Sequence, residues 1–158
     1  MSNRIAVLVV TFNRLDKLKK CLKHYEWQTY KPSTIIVVDN NSNDGTKNFL
    51  TEWRNEDSFE DRVVISLNNN LGGSGGFYTG MKASLDYEFD WLWLADDDAY
   101  PDKDAFKLLI EKSSPNYSVI CSSVYNVDGI DISHRKIENN TIFGISAPKS
   151  FYSKEYFP

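Results

Sequence analysis

The chain has 158 residues, 41% of them hydrophobic and 14% aromatic, which suits one globular domain with a buried core and excludes a disordered segment. Its formal net charge of -4 argues against a nucleic-acid partner, which calls for a basic surface, but not against a small anion whose charge a metal ion offsets. Cys21 and Cys121 make neither a disulfide framework nor a zinc site, no apolar run approaches the ~20 residues that span a bilayer, and no signal peptide is visible, so the expectation is a cytoplasmic protein, peripheral to the inner face of a membrane at most.

In chain order, Ile5-Ala-Val-Leu-Val-Val10 is a short β-branched run that predicts a strand buried on both faces. Asn13 is placed to cap a helix in which Leu15, Leu18, Leu22 and Tyr25 recur at helical spacing, and Cys21 falls on its apolar face. Thr34-Ile-Ile-Val-Val38 is a second buried strand, followed by the turn cluster Asp39 to Gly45 and a helix with Phe49, Leu50 and Trp53 on one side. Arg62 to Leu67 is the third strand. It leads into the loop Asn68 to Gly76 and a helix carrying Phe77, Met81 and Leu85. Asp90 to Ala95 is the fourth strand, closed by Asp96, Asp97 and Asp98; Pro101 and Asp102 begin a helix with Phe106, Leu109 and Ile110, and Tyr117 to Tyr125 reads as a further strand that buries Cys121. Short strand-like pieces follow near 130–134 and 141–146.

Strands alternating with helices predict an α/β fold with a mostly parallel sheet, and right-handed crossovers place every strand's C-terminal end on one edge. Ligands bind at that edge. Four polar clusters fall there: Thr11 to Arg14, Asp39 to Ser42, Asn68 to Gly76 and Asp96 to Asp98. Three adjacent carboxylates repel unless a cation joins them, and oxygen ligands of this kind suit Mg²⁺ or Mn²⁺ shared with substrate phosphates; the alternative is a solvated loop with Asp102 as a helix cap. Gly72, Gly73, Gly75 and Gly76 let backbone approach an anion at a helix N-terminus, or simply form a flexible turn. Asp39, ending a buried strand, is either a ligand-binding carboxylate or the anchor of an Asx-turn. Phe12 offers a ring for a nucleobase, though core packing is the commoner use of such a residue. His24 lies on a Lys-rich helix and is expected to be solvated, while His134 with Arg135 is either a diphosphate contact or ordinary surface.

Taken together, Val10-Thr-Phe-Asn-Arg14, Gln28-Thr-Tyr-Lys-Pro32, Ile36 to Thr46 and Asp96 to Asp98 resemble the family 2 glycosyltransferases of the GT-A fold, over about Ile5 to Ile110. Asn70 to Phe77 with Trp91 to Asp98 is most similar to the branch of galactofuranosyltransferases and rhamnosyltransferase-like proteins. The resemblance implies a Rossmann-like nucleotide-diphospho-sugar fold, one domain over 1–158 with its core at about 4–125 and an acceptor-side region beginning at 126–158. It implies that Phe12 lies against the base, that Thr11 and Asn13 flank that pocket, and that Asp39 hydrogen-bonds the base, usually uracil. Asn70, Gly72 and Gly73 would meet the diphosphate and sugar. Asp98 and Asp96 would hold Mn²⁺ or Mg²⁺, with Asp96 or Asp97 as a ribose contact.

The reaction so implied is inverting transfer from a nucleotide sugar, UDP-linked, to a glycan or lipid-linked acceptor, with a carboxylate as general base. Residues 143–158 resemble the lead-in to the motif that carries this base. Glu155 is the one late carboxylate, so the base is expected beyond Pro158. The alternative is a non-catalytic nucleotide-sugar-binding or assembly module. A sugar-phosphate nucleotidyltransferase would need a Gly-rich loop after the first strand, and a phospho-receiver domain an acidic pair there; Thr11 to Arg14 supplies neither.

Overall fold

The structure, a computed structural model, describes residues 3–58, 60–114, 116, 118–126, 129–130, 141–142 and 145–146. The chain divides between Ser113 and Ser114 into two compact units. In the first, β1 (Ile5–Thr11), β2 (Thr34–Asp39), β3 (Asp61–Ser66) and β4 (Trp91–Asp96) form one parallel sheet in the order β3-β2-β1-β4. The helices α1 (Leu15–Glu26), α2 (Thr46–Asn55), α3 (Gly72–Ser84) and α4 (Ala105–Lys112) alternate with these strands. Among the described residues no helix is long and apolar enough to cross a membrane.

β1 and β2 are buried along their whole length because both faces of the sheet are covered. Val7, Val9, Ile35 and Val37 face α1, α2 and α4, packing with Leu18, Leu22, Leu50, Trp53 and Phe106. Leu8, Val10, Ile36 and Val38 face the other way, where Phe77 of α3 joins them. Each fully buried aliphatic side chain contributes roughly 1.5–3 kcal/mol. On the first face Tyr25, Trp93 and Phe106 pack ring to ring at centroid distances of 4.8 to 6.4 Å, and Trp93 Nε1 donates to the Tyr25 hydroxyl at 3.1 Å. Burial holds the Tyr25 hydroxyl above its ordinary pKa.

Several expectations are corrected. The glycine cluster is not a free loop: α3 begins at Gly72, and its inner face is the stripe Gly76, Gly80 and Ser84 rather than Met81 and Leu85, which are exposed. A Cβ on Gly76 would come within 2.5 Å of Val10 Cγ1, and one on Gly80 within 2.3 Å of Leu8 Cδ1, so these glycines let the helix approach the sheet. Asn13 does not cap α1. It takes a left-handed conformation at φ 52°, and Asp44 from the next loop caps instead, its Oδ2 accepting the Leu15 N–H at 2.9 Å. Asp102 lies three residues before α4 and makes an Asx-turn to the Asp104 N–H at 3.0 Å.

In the second unit the structure shows two short antiparallel pairs. β5 (Tyr125–Asn126) pairs with β6 (Gly129–Ile130), and β7 (Thr141–Ile142) with β8 (Ile145–Ser146). The strand expected over 117–125 is reduced to β5, residues 118–124 have no regular structure, and Cys121 is exposed rather than buried. A β-branched run becomes a strand only where a ladder partner stands beside it, and this run has no place in the four-stranded sheet. Tyr117, His134, Arg135 and Glu155 lie outside the described residues.

Candidate functional site

From β1 the chain winds to β2 and β3 on one side, then returns through α3 to place β4 on the other side of β1. The direction of winding therefore reverses between β1 and β4, and the crevice at the C-terminal ends of such neighbours is where open α/β sheets bind ligands. Thr11 pairs in register with Asp39 and Asp39 with Ser66, while Asp96 pairs with Val10 one residue below. The predicted clusters thus share one rim, with Phe12 41% exposed beside it.

The loop after β2 is built mostly to hold itself and its neighbours. Asp39 is fully buried; its Oδ1 accepts the Ser42 N–H at 3.0 Å, closing the Asx-turn anticipated above. Ser42 Oγ accepts the Asn13 N–H at 2.9 Å, and Asn13 Oδ1 accepts the Asn43 N–H at 2.8 Å, which locks the β1 and β2 loops together. Asp44 caps both α1 and α2, its Oδ1 accepting the Thr46 hydroxyl at 2.6 Å. One group is left over. Asp39 Oδ2 is buried and no donor reaches it, a state that costs free energy unless a ligand supplies a hydrogen bond.

The acidic triplet divides its three carboxylates among three roles. Asp97 is turned inward, 3% exposed, with Oδ2 accepting from the Thr11 hydroxyl at 2.7 Å and Oδ1 from Arg14 Nη1 at 3.2 Å. The Thr11 hydroxyl is thereby committed to Asp97. Asp98 is exposed and its Oδ2 meets both Arg14 Nη1 and Lys17 Nζ at 3.0 Å. The Lys17 hydrogen bond leads the effects that hold Asp98 below its ordinary pKa, and Arg14 is itself raised by Asp97 first and Asp98 after it. Asp96 has no such partner: partial burial first, then the charges of Asp98 and Asp97, push its carboxyl above the ordinary value. A cation at Asp96 would relieve that penalty.

The turn after the triplet is clasped from α1. His24, expected to be solvated, is half-buried, and its Nδ1–H donates to the Pro101 carbonyl at 3.0 Å. Gln28, fully buried, donates to the Asp102 carbonyl at 2.7 Å and accepts the Phe106 N–H at 3.1 Å, capping α4. Across the rim, Asn40 donates to the Gly72 carbonyl at 2.9 Å and accepts the Leu71 N–H at 3.2 Å, while Asn70 Oδ1 accepts the Gly72 N–H at 2.8 Å. A Cβ on Gly72 or Gly73 would meet nothing within 4 Å, so the start of α3 presents open backbone, with Gly72 at φ 69°. Sequence reasoning missed Arg14, Lys17, Asn40 and Asp44 as organisers of the rim. The first two carried a signal, two cations at the start of α1 in a chain with three adjacent acids.

Four parallel strands with helices on both faces, and the reversal of winding between β1 and β4, define an α/β fold of the GT-A type. Residues 6–157 match the family described as Glycosyl transferase family 2, and the chain belongs to that family. It is 32% identical over 130 residues to galactofuranosyltransferase GlfT1 of Mycobacterium tuberculosis, covering 81% of this chain and 42% of that one. The fold matches a mannosyltransferase from Pyrobaculum calidifontis in complex with GDP-Man and Mn²⁺ at a TM-score of 0.68 and 21% identity, over 80% of this chain and 36% of that one. It also matches residues 1–349 of S. aureus TarS in complex with UDP-GlcNAc at a TM-score of 0.57 and 20% identity, over 80% and 41%. The chain spans less than half the length of the relatives it matches.

Proposed function

We propose that this chain binds the donor of an inverting, metal-dependent glycosyltransferase, a UDP-linked sugar destined for a glycan or lipid-linked acceptor. The observation that carries the reading is Asp39 Oδ2, a buried acceptor with no donor, beside an exposed Phe12 ring at the rim where the sheet reverses. A pyrimidine imide N–H supplies the missing donor while the ring of Phe12 covers the base. Asn70, Gly72 and Gly73 offer open backbone and helix N–H groups to the diphosphate and sugar.

The donor set fits a hard divalent cation. Asp96 and Asp98 are exposed carboxylates, Asp96 unpaired, and among the described residues no three acidic, His or Cys side chains are grouped so as to hold a metal ion by themselves, so water and phosphate oxygens complete the shell, as Mg²⁺ and Mn²⁺ allow. Bound there, the cation would neutralise charge developing on the departing diphosphate. Asp97, held by Thr11 and Arg14, fixes the backbone on which its two neighbours stand.

Titration calorimetry with UDP, dTDP and GDP, with and without Mn²⁺, tests this reading. UDP should bind in a Mn²⁺-dependent manner, and Asp98→Ala should weaken binding about tenfold or more, the loss of one charged ligand. Metal-independent binding, or binding indifferent to that substitution, would overturn it. UDP release from a UDP-sugar in the presence of acceptor then separates a transferase from a binding module.

A further inference from the structure

Arg14, Lys17, Cys21, His24 and Gln28 recur at steps of three and four residues, one stripe along and just beyond α1. Every one of them meets the segment from Asp96 to Phe106, and in the same order. Arg14 binds Asp97 and Asp98, Lys17 binds Asp98, and the Cys21 thiol lies 3.7 Å from the Asp96 carbonyl. His24 then holds the Pro101 carbonyl, and Gln28 the Asp102 carbonyl and the Phe106 N–H. Between these, Lys20 Nζ lies 4.2 Å from the centre of the Tyr100 ring, and the His24 and Tyr100 rings are 5.5 Å apart. Helix and segment are zipped side by side.

We propose that this stripe is the device that presents the acidic triplet, and that His24 is a positioning residue for the metal-binding carboxylate of Asp98 although it does not touch it. Asp97 and Asp98 lie beyond the C-terminal end of β4, outside the sheet's ladder, so their direction is not set by strand pairing. It is set by bonds at both ends of the following turn: Arg14 and Lys17 at the carboxylates, His24 and Gln28 at Pro101 and Asp102. Releasing the far end lets Ala99–Tyr100 move and loosens Asp98, while Asp96 stays paired with Val10 in the ladder. The Pro101 oxygen can only accept, so His24 Nδ1 carries the proton, and an asparagine amide at the same position can donate in its place. The inference rests on the metal-dependent reading above.

The test uses the full chain with His24→Ala and His24→Asn. Amide hydrogen exchange of the metal-free protein reads the hold directly: His24→Ala should speed exchange in residues 98–104 about fivefold, one lost hydrogen bond, and leave β2 unchanged. Electron paramagnetic resonance should show Mn²⁺ binding in the presence of UDP weakened by a similar factor, and His24→Asn should restore both readouts. Unchanged exchange in 98–104 overturns the proposal, and so does faster exchange with undiminished Mn²⁺ affinity. Uniformly faster exchange, β2 included, also overturns it, because that is a general weakening of the fold. If the unmutated chain binds neither UDP nor Mn²⁺, the functional reading fails instead, while the exchange comparison still decides whether the stripe holds the segment.

Discussion

Two groups of acids in this molecule are arranged to opposite ends. Around Arg62 on β3, three carboxylates close on one guanidinium that is 8% exposed: Glu26 at 2.9 Å, Glu56 at 3.0 Å and Glu60 at 3.4 Å. The same guanidinium donates to the Trp53 carbonyl at 2.6 Å and lies 4.7 Å from its ring, and Trp53 Nε1 donates to Glu26. Every carboxylate there has a donor. At the rim, by contrast, Asp96 has none and Asp39 keeps a buried oxygen unpaired. Acidity does not separate a structural cluster from a binding site; leftover hydrogen-bonding capacity does.

Breaking the closed cluster should give the largest effect. Arg62→Ala strands the buried Glu60 and the partly buried Glu26, and should cost about 3–5 kcal/mol in urea unfolding, with nucleotide affinity of the folded protein unchanged. A loss below about 1 kcal/mol would show that these contacts add little. The glycines of α3 sharpen the same contrast. Gly80→Ala drives a methyl against Leu8 and against Val38 Cγ2 at 2.9 Å and should cost about 1–3 kcal/mol. Gly73→Ala meets nothing within 4 Å, so stability should hold or rise by up to about 1 kcal/mol while UDP binding falls. Equal destabilisation by both would erase the distinction. Asp39→Asn keeps an oxygen for the Ser42 N–H but can turn a donor toward the ligand; UDP affinity should drop about ten- to thirtyfold with the melting temperature nearly unchanged. Retained affinity would remove Asp39 from the base pocket.

How much of this was legible beforehand follows from which interactions are local. The sheet was readable because β1 and β2 are buried on both faces, and such strands appear as unbroken β-branched runs. The rim was readable because its clusters sit where those runs stop. The helix α3 was expected, but its start and inner face were misread because glycines at 76 and 80 pack by absence of side chains, which leaves no apolar pattern to mark that face. The α1 cap was misplaced because the acceptor of the Leu15 N–H, Asp44, is 29 residues away, and local spacing carries no trace of that pairing. His24 looked solvated for the same reason: its partner is 77 residues away. The run at 118–124 has β-branched residues but no partner strand in the four-stranded sheet, and propensity alone cannot supply one.

Asp44 gives the smallest effect and the one with a pH signature. It stands between the two kinds of cluster, exposed yet fully engaged, accepting from Leu15 N, Thr46 N and Thr46 Oγ1. Desolvation works against its charge, but the hydrogen bonds from Thr46 and the Leu15 N–H outweigh it, so its carboxyl is held below the ordinary value of 3.8. A folded-state pKa lowered in this way adds stability that is complete above the unfolded pKa and fades as pH falls through the folded one. Asp44→Ala should therefore cost about 1 kcal/mol at pH 7, the usual worth of a helix cap. Urea unfolding repeated below pH 3.8 should show the gap between the variant and the unmutated chain narrowing, because the protonated carboxyl is a weaker acceptor for both helix ends. A gap that stays the same in acid would mean that Asp44 caps α1 and α2 by shape and not by charge.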